Sequence, residues 1–277
     1  MVRNKADTDS NIVVVLEPCE NTRVRNKERE KIMILKCIRT SSDGNCYILK
    51  KGENRLVLDC GISIKELKKA LDYDINNVAI LITHKHKDHS MCADQAENIG
   101  IKVVKAWDYF KDEKTAFNVL DWNVRIIDMT DLNGHWTHTN ADGSECPCFG
   151  FLISNDEMGR MLYITDTSIV KYRFKNINHI LIGCNYQKRF VNVDDSVKNS
   201  HVFAGHMELE TCKEFIRQND SEYLQNVILC HISKGNANVD EMVNEIKKSL
   251  KRQYFTHVYY AVPGKGWDLK NGNDCPF

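Results

Sequence analysis

Short apolar runs recur along the chain, and they constrain its fold more than any other feature. They are rich in Val, Ile and Leu, as buried β-strands are. The runs that we predict as strands are 32–38, 46–50, 55–61, 78–83, 101–106, 123–128, 149–154, 160–166, 179–185, 226–233 and 255–262. The spacing of apolar residues predicts helices at 63–72, 91–100, 209–218 and 239–250, the first with Ser63 as its N-cap. Many short strands with helices between them predict two sheets packed together and covered by helices.

Two turn signals predict hairpins. Residues 42–45, SDGN, favour a tight turn between the first two strands. The PGKG turn after residues 255–262 predicts a second hairpin that closes the chain with the segment WDL. We therefore expect both ends of the folded region to be built from antiparallel pairs.

The domain organisation follows from a change of composition near residue 31. Residues 1–31 are mostly polar, with one short strand-like run at 12–16 and a charge run at 21–31, and are predicted to be an N-terminal extension. Residues 32–277 are predicted to form one domain. With 277 residues in all, 42% of them hydrophobic, the chain has enough apolar material for a sizeable core.

Charge and cysteine content narrow the setting in which such a chain works. Lys plus Arg and Asp plus Glu both number 38, so the chain lacks the strong basic field of many nucleic-acid binders, although local patches remain open. No apolar run approaches the roughly 20 residues of a membrane helix, and the N-terminus lacks the apolar core of a signal peptide. With 11 cysteines and no export signal, we expect reduced thiols, a cytoplasmic protein and no membrane association.

The segment at residues 78–90, VAILITHKHKDHS, carries the strongest chemical signal. A buried strand is followed at once by His84, His86, Asp88 and His89. A lone histidine on a polar loop would mean little, but three imidazoles and a carboxylate after one strand predict a metal site. These ligand types suit zinc, iron or manganese.

Other candidate ligands also stand at the ends of predicted strands, namely Asp59, Asp166 and His231. Loops at one edge of a rigid sheet can bring side chains together that are distant in sequence. We therefore expect these residues to converge with the segment at 84–89 around one site.

The motifs resemble those of the metallo-β-lactamase fold superfamily. THKHKDH at residues 83–89 is similar to its H-x-H-x-D-H signature, LVLDCG at 56–61 to its first motif, and LYITDTS at 162–168 to its bridging-aspartate motif. SSDGNCYIL, AGHMELET and LCHISKGNAN resemble blocks of the bacterial YycJ/WalJ-like branch, which consists of DNA exonuclease-like hydrolases. The likeness spans about residues 34–269. It implies a four-layer αββα sandwich of two mixed β-sheets flanked by helices.

The resemblance implies a dinuclear centre that binds two divalent ions, Zn²⁺ or Mn²⁺ with iron as a third option. His84, His86 and a third histidine would bind one ion; Asp88, His89 and His231 would bind the other; and Asp166 would bridge them. His135 and His138 are both candidates for the third histidine. We favour His138 because it lies nearer to the 147–151 block that follows this ligand in the branch.

Further site residues are predicted around this centre. His206, in AGHMELE, is the candidate for proton transfer to the leaving group, with His201 as its competitor. Asp59 would hold a ligand imidazole in the correct tautomer. Asp88 is also assigned to the catalytic machinery, and Asn185 either contacts the substrate or ends its strand.

Three further features have open interpretations. Cys146 and Cys148 form a C-P-C that fits buried thiols better than a separate zinc site. Four cations near the later strand ends would either bind backbone phosphates or form a solvated face; they are Lys171, Arg173, Lys188 and Arg189. Gly44 would either let the backbone approach a phosphate or simply complete a hairpin.

The resemblance implies a hydrolase, and we expect a phosphodiesterase or nuclease that acts on DNA through a metal-bound hydroxide. The alternative is a hydrolase of a small molecule, such as a cyclic nucleotide, lactone, thioester or β-lactam, because a fold alone does not choose the chemistry. A non-catalytic metal-binding module is a third possibility. The chain lacks the long inserted arm with which tRNA-processing members grip tRNA. No protein partner is inferred.

Overall fold

The computed structural model describes residues 32–191 and 205–275. In this part of the chain, two seven-stranded β-sheets pack face to face and helices cover their outer faces. The predicted αββα sandwich of two mixed sheets is therefore confirmed. The predicted extension at 1–31 and the competing His201 lie outside the described residues.

The described strands, numbered along the chain, are β1 (Met33–Ser41), β2 (Gly44–Lys51), β3 (Asn54–Leu58), β4 (Val78–Ile82), β5 (Lys102–Lys105), β6 (Ala116–Val119), β7 (Trp122–Asp128), β8 (Phe149–Asn155), β9 (Gly159–Ile164), β10 (His179–Gly183), β11 (Asn226–Cys230), β12 (His257–Tyr260), β13 (Gly266–Asp268) and β14 (Asn273–Cys275). The described α-helices are α1 (Ile64–Ala70), α2 (Lys87–Ser90), α3 (Ala93–Asn98), α4 (Ala106–Lys111), α5 (Leu209–Asn219) and α6 (Val239–Ser249).

Both sheets contain parallel and antiparallel strands. The first has the order β14-β13-β1-β2-β3-β4-β5 and the second has the order β12-β11-β10-β9-β8-β7-β6. In the first sheet β3, β4 and β5 are parallel, and in the second β9 to β12 are parallel. The remaining pairs are antiparallel, including the predicted β1–β2 hairpin, in which Ser41 faces Gly44.

Three hydrophobic clusters hold the four layers together. The central cluster joins the inner faces of the sheets, with Leu81 of β4 and Phe151 of β8 both fully buried. A second cluster packs α5 and α6 on the outer face of the second sheet, and a third packs α1 and α3 on the first. Strands β4, β10 and β11 are buried along their whole length, which explains their unbroken apolar sequences.

The predicted C-terminal hairpin is wrong. Strand β12 pairs in parallel with β11 at the edge of the second sheet, whereas β13 pairs with β1 of the first sheet. The turn at Pro263 and Gly264 therefore carries the chain from one sheet to the other. Strand partners depend on which edges the rest of the fold leaves open, and the local sequence does not contain that information.

The fold places the predicted site residues at neighbouring strand ends. Asp59 and His84 follow β3 and β4, and Asp166, Asn185 and His231 follow β9, β10 and β11. Because the strands within each of these groups are parallel, their carboxyl ends share one edge of each sheet. Ser63 caps α1 with a capping box that includes Glu66, as the predicted N-cap requires.

Candidate metal centre

The histidine-rich segment begins as β4 ends and immediately turns into a short helix. His86 is the N-cap of α2, which places Asp88 and His89 within its single turn. Gly61 makes this close packing possible, since a Cβ atom there would lie 1.6 Å from the Asp88 carbonyl oxygen. The spacing of the motif thus divides its ligands between a loop and a helical turn.

Three imidazoles form a first cluster, which we call the three-histidine cluster: His84, His86 and His138. Their ligand nitrogens all lie within 4.8 Å of one another. The rings meet edge to face, with each pair of centroids 4.8 Å apart. His138 comes from the long connection between β7 and β8, so this cluster joins a loop of the second sheet to a loop of the first.

In two of the rings, His138 and His86, hydrogen bonds on the outer side of the cluster determine which nitrogen points inward. His138 Nδ1 donates to the Gly205 carbonyl at 3.0 Å, and His86 Nε2 donates to Asn140 Oδ1 at 3.0 Å. The inward atoms, His138 Nε2 and His86 Nδ1, are then unprotonated lone-pair donors only 2.9 Å apart. Two lone pairs at this distance repel each other unless a cation lies between them.

His84 supplies the third nitrogen that points into the cluster. Its Nδ1 lies 3.0 Å from Thr83 Oγ1, while its Nε2 is buried and has no hydrogen-bond partner among the described residues. An unpartnered buried ring nitrogen is costly for a protein. The three-histidine cluster therefore fits a divalent metal ion in both geometry and chemistry.

Four residues form a second cluster, which we call the carboxylate cluster: Asp88, His89, Asp166 and His231. Their ligand atoms again lie within 4.8 Å of one another. His89 Nε2 is 3.2 Å from Asp88 Oδ2 and 3.1 Å from Asp166 Oδ2, and His231 Nε2 is 3.3 Å from Asp166 Oδ1. Two carboxylates and two imidazoles are suitable ligands for a second divalent ion.

Amide groups also contact the imidazoles of the carboxylate cluster. Asn45 Nδ2 lies 3.1 Å from His89 Nε2, and Asn185 Nδ2 lies 2.9 Å from His231 Nδ1. Asn185 Oδ1 accepts a hydrogen bond from the Met207 N–H, so its amide nitrogen is the group that faces His231. His231 then carries its proton on Nε2, next to the carboxylates, and an ion binding there must displace that proton.

Asp166 lies between the two clusters. Besides its contacts in the carboxylate cluster, its Oδ2 is 3.7 Å from both His84 Nε2 and His138 Nε2. Asp166 is 2% exposed, so its negative charge has few contacts with water. This position between the two sets is the one that a bridging ligand would need.

The pKa values of the imidazoles also differ between the two clusters. Burial lowers the pKa of His84 and of His138, and neighbouring imidazoles act in the same direction. Burial also disfavours charge on His89, but the Asp166 and Asp59 carboxylates outweigh it and raise the pKa of that ring. Burial likewise opposes ionisation of Asp166, yet the charges of His231 and His89 hold its pKa well below the usual value.

Asp59 lies behind the clusters and contacts both. Its Oδ2 accepts a hydrogen bond from His89 Nδ1 at 2.7 Å, and Thr83 Oγ1, which contacts His84, lies 3.0 Å from the same oxygen. Tyr163 O–H donates to Asp59 Oδ2 at 2.6 Å from inside β9. Through these contacts Asp59 would orient both rings, a role that stays a prediction. Thr83 and Tyr163, which were not predicted, belong to the same network.

His206 lies at the edge of the clusters. Its ring stacks on His231 with centroids 5.4 Å apart, and its Nδ1 is 3.9 Å from Asp166 Oδ1. Burial lowers the pKa of His206 to about 4, so the ring is neutral near pH 7. Within the part of the chain that the structure describes, Nδ1 is buried without a hydrogen-bond partner. The ring lines a hollow of about 320 Å³ beside the clusters.

Asn185 is buried and held on three sides. Besides its contact with the His231 ring, its Nδ2 donates to the His231 carbonyl at 2.8 Å. Its Oδ1 holds the backbone of Met207, the residue next to His206. Asn185 also lines the hollow beside the clusters, so a contact with a substrate stays a prediction.

The structure separates the two candidates for the third histidine. His135 is exposed and pairs with Glu145 Oε1 at 2.8 Å, away from the other imidazoles. His138 lies within the cluster, and Gly205 permits its approach because a Cβ atom there would lie 2.6 Å from His138 Nδ1. Asn140, which orients His86, was missed in the sequence because nothing local marks it.

Three residues of this site adopt a strained backbone conformation. Asp59, Asp166 and His231 all have positive φ angles, of 56°, 45° and 52°. Non-glycine residues rarely adopt this left-handed region, and it persists where the surrounding structure enforces it. Each of these residues follows the end of a parallel strand, so the strain turns its side chain towards the same point.

The remaining predicted features lie outside the clusters. Cys146 and Cys148 are both buried, as expected of structural thiols. A Cβ atom on Gly44 would lie 2.1 Å from the Gly61 carbonyl oxygen, so this glycine is needed for packing between loops. Lys171 pairs with Asp128 at 3.1 Å and Arg189 pairs with Glu241, so each of these cations already has an acidic partner.

Comparisons with known proteins agree with this architecture. Residues 39–144 match the family model described as the metallo-beta-lactamase superfamily. No curated protein matches the chain. The metallo-beta-lactamase fold protein YhfI from Bacillus subtilis is 15% identical, with a TM-score of 0.57 over 85% of this chain and 99% of that one.

Two further solved structures are similar. A diphosphatase from the PhnP family is 12% identical, with a TM-score of 0.54 over 85% of this chain and 96% of that one. Human tRNase Z, short form, is 12% identical, with a TM-score of 0.50 over 86% of this chain and 99% of that one. At such identities the likeness establishes the fold, which is the metallo-β-lactamase fold.

Among the helices at residues 32–191 and 205–275, none has the length and apolar character needed to cross a membrane.

Proposed function

We propose that this chain, which has the metallo-β-lactamase fold, is a dinuclear metal-dependent hydrolase that cleaves phosphodiester bonds in DNA. One observation carries the proposal: two ligand clusters lie side by side and share Asp166. Two ions a few ångströms apart are a recurring arrangement for hydrolysis of phosphate diesters. The proposal includes membership of the YycJ/WalJ-like branch, whose motif blocks the sequence resembles.

Each predicted ligand then has a role. His84, His86 and His138 would bind one ion, Asp88, His89 and His231 the other, and Asp166 both. Bound divalent ions, zinc or manganese, supply Lewis acidity that activates water and neutralises the phosphate. Asp59 keeps His89 in the tautomer whose Nε2 faces the ligands, and through Thr83 it does the same for His84.

His206 is the group proposed to assist the leaving oxygen. It lines the hollow beside the clusters and is neutral near pH 7, so it has one N–H to donate. An anionic phosphate next to the ring would raise its pKa from about 4, because a negative charge favours the imidazolium form. Bound substrate thereby makes His206 a better proton donor to the departing oxygen.

The names of two similar structures, a tRNase and a diphosphatase, are consistent with phosphate-ester chemistry. One fold carries many reactions, so these names do not choose the substrate. The choice of DNA rests on the resemblance of the sequence blocks. The direct experiment therefore asks first whether the protein cleaves any phosphodiester and then which nucleic acid it prefers.

The test is an incubation of purified protein with end-labelled single-stranded DNA, duplex DNA and RNA in Mn²⁺ or Zn²⁺. We expect metal-dependent release of nucleotides from DNA. The control variant is His135→Ala, which removes an exposed imidazole outside the clusters and should cleave like the wild type. Wild-type cleavage no greater than that of an Asp88→Ala, His89→Ala double variant would contradict the proposal.

A second candidate, hydrolysis of a small molecule, is favoured by the paired state of two predicted phosphate-binding cations. Lys171 and Arg189 have acidic partners and offer little unbalanced positive charge to a long DNA backbone. Cyclic nucleotides, lactones, thioesters and β-lactams should be assayed in parallel. Faster turnover of one of these than of any DNA, abolished by Asp166→Asn, would establish this alternative.

A further inference from the structure

A groove leads away from the candidate metal centre, with a volume of about 520 Å³. One wall is the end of β1 and its turn, including Ile38 and Ser41. The other is the chain after β11, including Lys234, and the end of β12, including Tyr260. We call it the β1–β12 groove. Its volume falls within the range of roughly 300–1,000 Å³ that is usual for small-ligand sites.

The β1–β12 groove is continuous with the reactive site. Ser41, Ile232, Ser233 and Lys234 line both the groove and the hollow that contains His206 and His231. A hydrogen bond from the His231 N–H to Thr40 Oγ1, at 2.9 Å, ties the groove wall to a candidate ligand. A molecule with its reacting group at the clusters would therefore extend into this groove.

The junction between the two hollows has the chemistry to recognise a phosphate. The Lys234 side chain is 81% exposed and pairs with Asp43 at 3.1 Å across the groove. Such an exposed ion pair contributes little stability, so the ammonium group can turn to an anion at small cost. Ser41 lies at the same junction and can donate a hydrogen bond from its hydroxyl.

Beyond the junction the groove has a more apolar and aromatic surface. Tyr260 is 38% exposed, and Ile38 and Val262 supply apolar surface around it. An exposed aromatic ring in an apolar groove offers a stacking surface that accepts any nucleobase. The groove suits a nucleoside because it combines this stacking surface with apolar walls.

We propose that the β1–β12 groove binds the nucleoside attached to the scissile phosphate, with the base stacked on Tyr260 and the phosphate contacted by Lys234. This inference rests on the proposed function and specifies which part of the substrate the site holds. The groove is large enough for about one nucleotide unit. A phosphodiester at the end of a strand would fit this arrangement directly.

The test compares two substrates that share the same scissile bond and leaving group. These are thymidine 5′-(p-nitrophenyl phosphate) and methyl p-nitrophenyl phosphate, which differ only in the nucleoside. We expect Tyr260→Ala to lower kcat/KM for the thymidine ester about tenfold, chiefly through KM, and to leave the methyl ester unchanged. Tyr260→Phe should retain the preference, and Lys234→Ala should raise KM for both esters.

Tyr223→Ala is the matched control, because Tyr223 is 44% exposed and is not among the residues that line the groove. An unchanged ratio between the two esters in Tyr260→Ala would overturn the inference. If wild type cleaves neither ester, the DNA assay alone decides the proposed function. Calorimetry with thymidine 5′-monophosphate then tests nucleotide binding in the groove separately. A roughly tenfold weaker Kd in Tyr260→Ala would support the groove, and equal binding or no binding would reject it.

Discussion

The two ligand clusters lie side by side at one edge of the sandwich, but the protein prepares them differently. In the three-histidine cluster, outward hydrogen bonds leave the inward nitrogens unprotonated, and burial keeps His84 and His138 neutral. In the carboxylate cluster, the same type of side chain is engaged by amides and acids, and the pKa values of His89 and His231 are raised.

This contrast teaches that the first cluster is ready for a cation, whereas the second is stabilised without one. Binding to the second must break internal ion pairs and release protons, which lowers its apparent affinity. The ligand types differ in the same sense, because three nitrogens favour zinc and a carboxylate-rich set also accepts manganese. We therefore expect two unequal affinities, with the three-histidine cluster filled first.

The largest effect should come from Asp166→Asn, because the Asp166 carboxylate lies within 4 Å of ligand nitrogens in both clusters. We expect a loss of activity of ~10³-fold or more, and weaker binding of both ions. Elemental analysis after dialysis against limiting Zn²⁺ measures the binding, and a phosphodiester assay measures the activity. Asp156→Asn, at an exposed position of the β8–β9 turn, is the control and should change neither. Retention of two ions by Asp166→Asn would refute a bridging role.

His138→Ala is a more selective test of the difference between the two clusters. This variant removes one of the three nitrogens of the first cluster and leaves the second intact, so we expect the bound zinc to fall from about two ions per chain to about one. The same change at His135, only three residues away, should have no effect because that ring is exposed and paired with Glu145. Equal losses in the two variants would mean that the three-histidine cluster is not an independent site.

A smaller and more directed effect is expected from Tyr163→Phe. Loss of the hydroxyl removes one hydrogen bond to Asp59, which orients His89, so affinity at the carboxylate cluster should fall about tenfold. Tyr172→Phe is the matched control, because its hydroxyl also donates to an aspartate, Asp128, but away from the site. Titration with Mn²⁺ gives both constants, and equal changes in the two variants would contradict a positioning role for Tyr163.

His179 is a buried histidine outside both clusters, so we expect His179→Gln to have no effect on metal binding. Asn226 Nδ2 lies 2.9 Å from its Nδ1, and its Nε2 donates to the Met158 carbonyl, so the fold holds the neutral ring. Burial lowers the pKa of His179 to about 4, against about 6.5 in an unfolded chain. The buried, neutral His179 therefore contributes to the free energy of unfolding. This contribution is fully present above pH 6.5 and is lost as the pH falls towards 4.

The corresponding measurement is urea unfolding of wild type and His179→Gln, with chelator present, at pH 7 and pH 5. The contribution of His179 should shrink by about 2 kcal/mol between these pH values, because the unfolded chain gains a proton there. The stability difference between the two proteins should narrow by that amount, since the clusters titrate equally in both. A difference independent of pH would show that His179 is not held neutral by the fold.

Local patterns in the sequence predicted the layers and predicted that Asp59, Asp166 and His231 would lie near the segment at 84–89. The preference for His138 came from the family resemblance. Strands such as 78–83 are apolar throughout, and ligands directly after them must lie at a sheet edge. Tyr163 and Asn140 were missed because their roles depend on which strand or loop is their neighbour in space. The pairing of β13 with β1 was missed for the same reason.

Both clusters take ligands from both sheets. In the first, His84 follows a strand of one sheet and His138 comes from a connection in the other; in the second, His89 and His231 have the same relation. An ion bound at either position is therefore a cross-link between two layers that otherwise meet mainly through apolar packing. Chelation should accordingly make the edge of the sandwich more susceptible to proteases, and metal supply would then govern how long the protein survives as well as how fast it works.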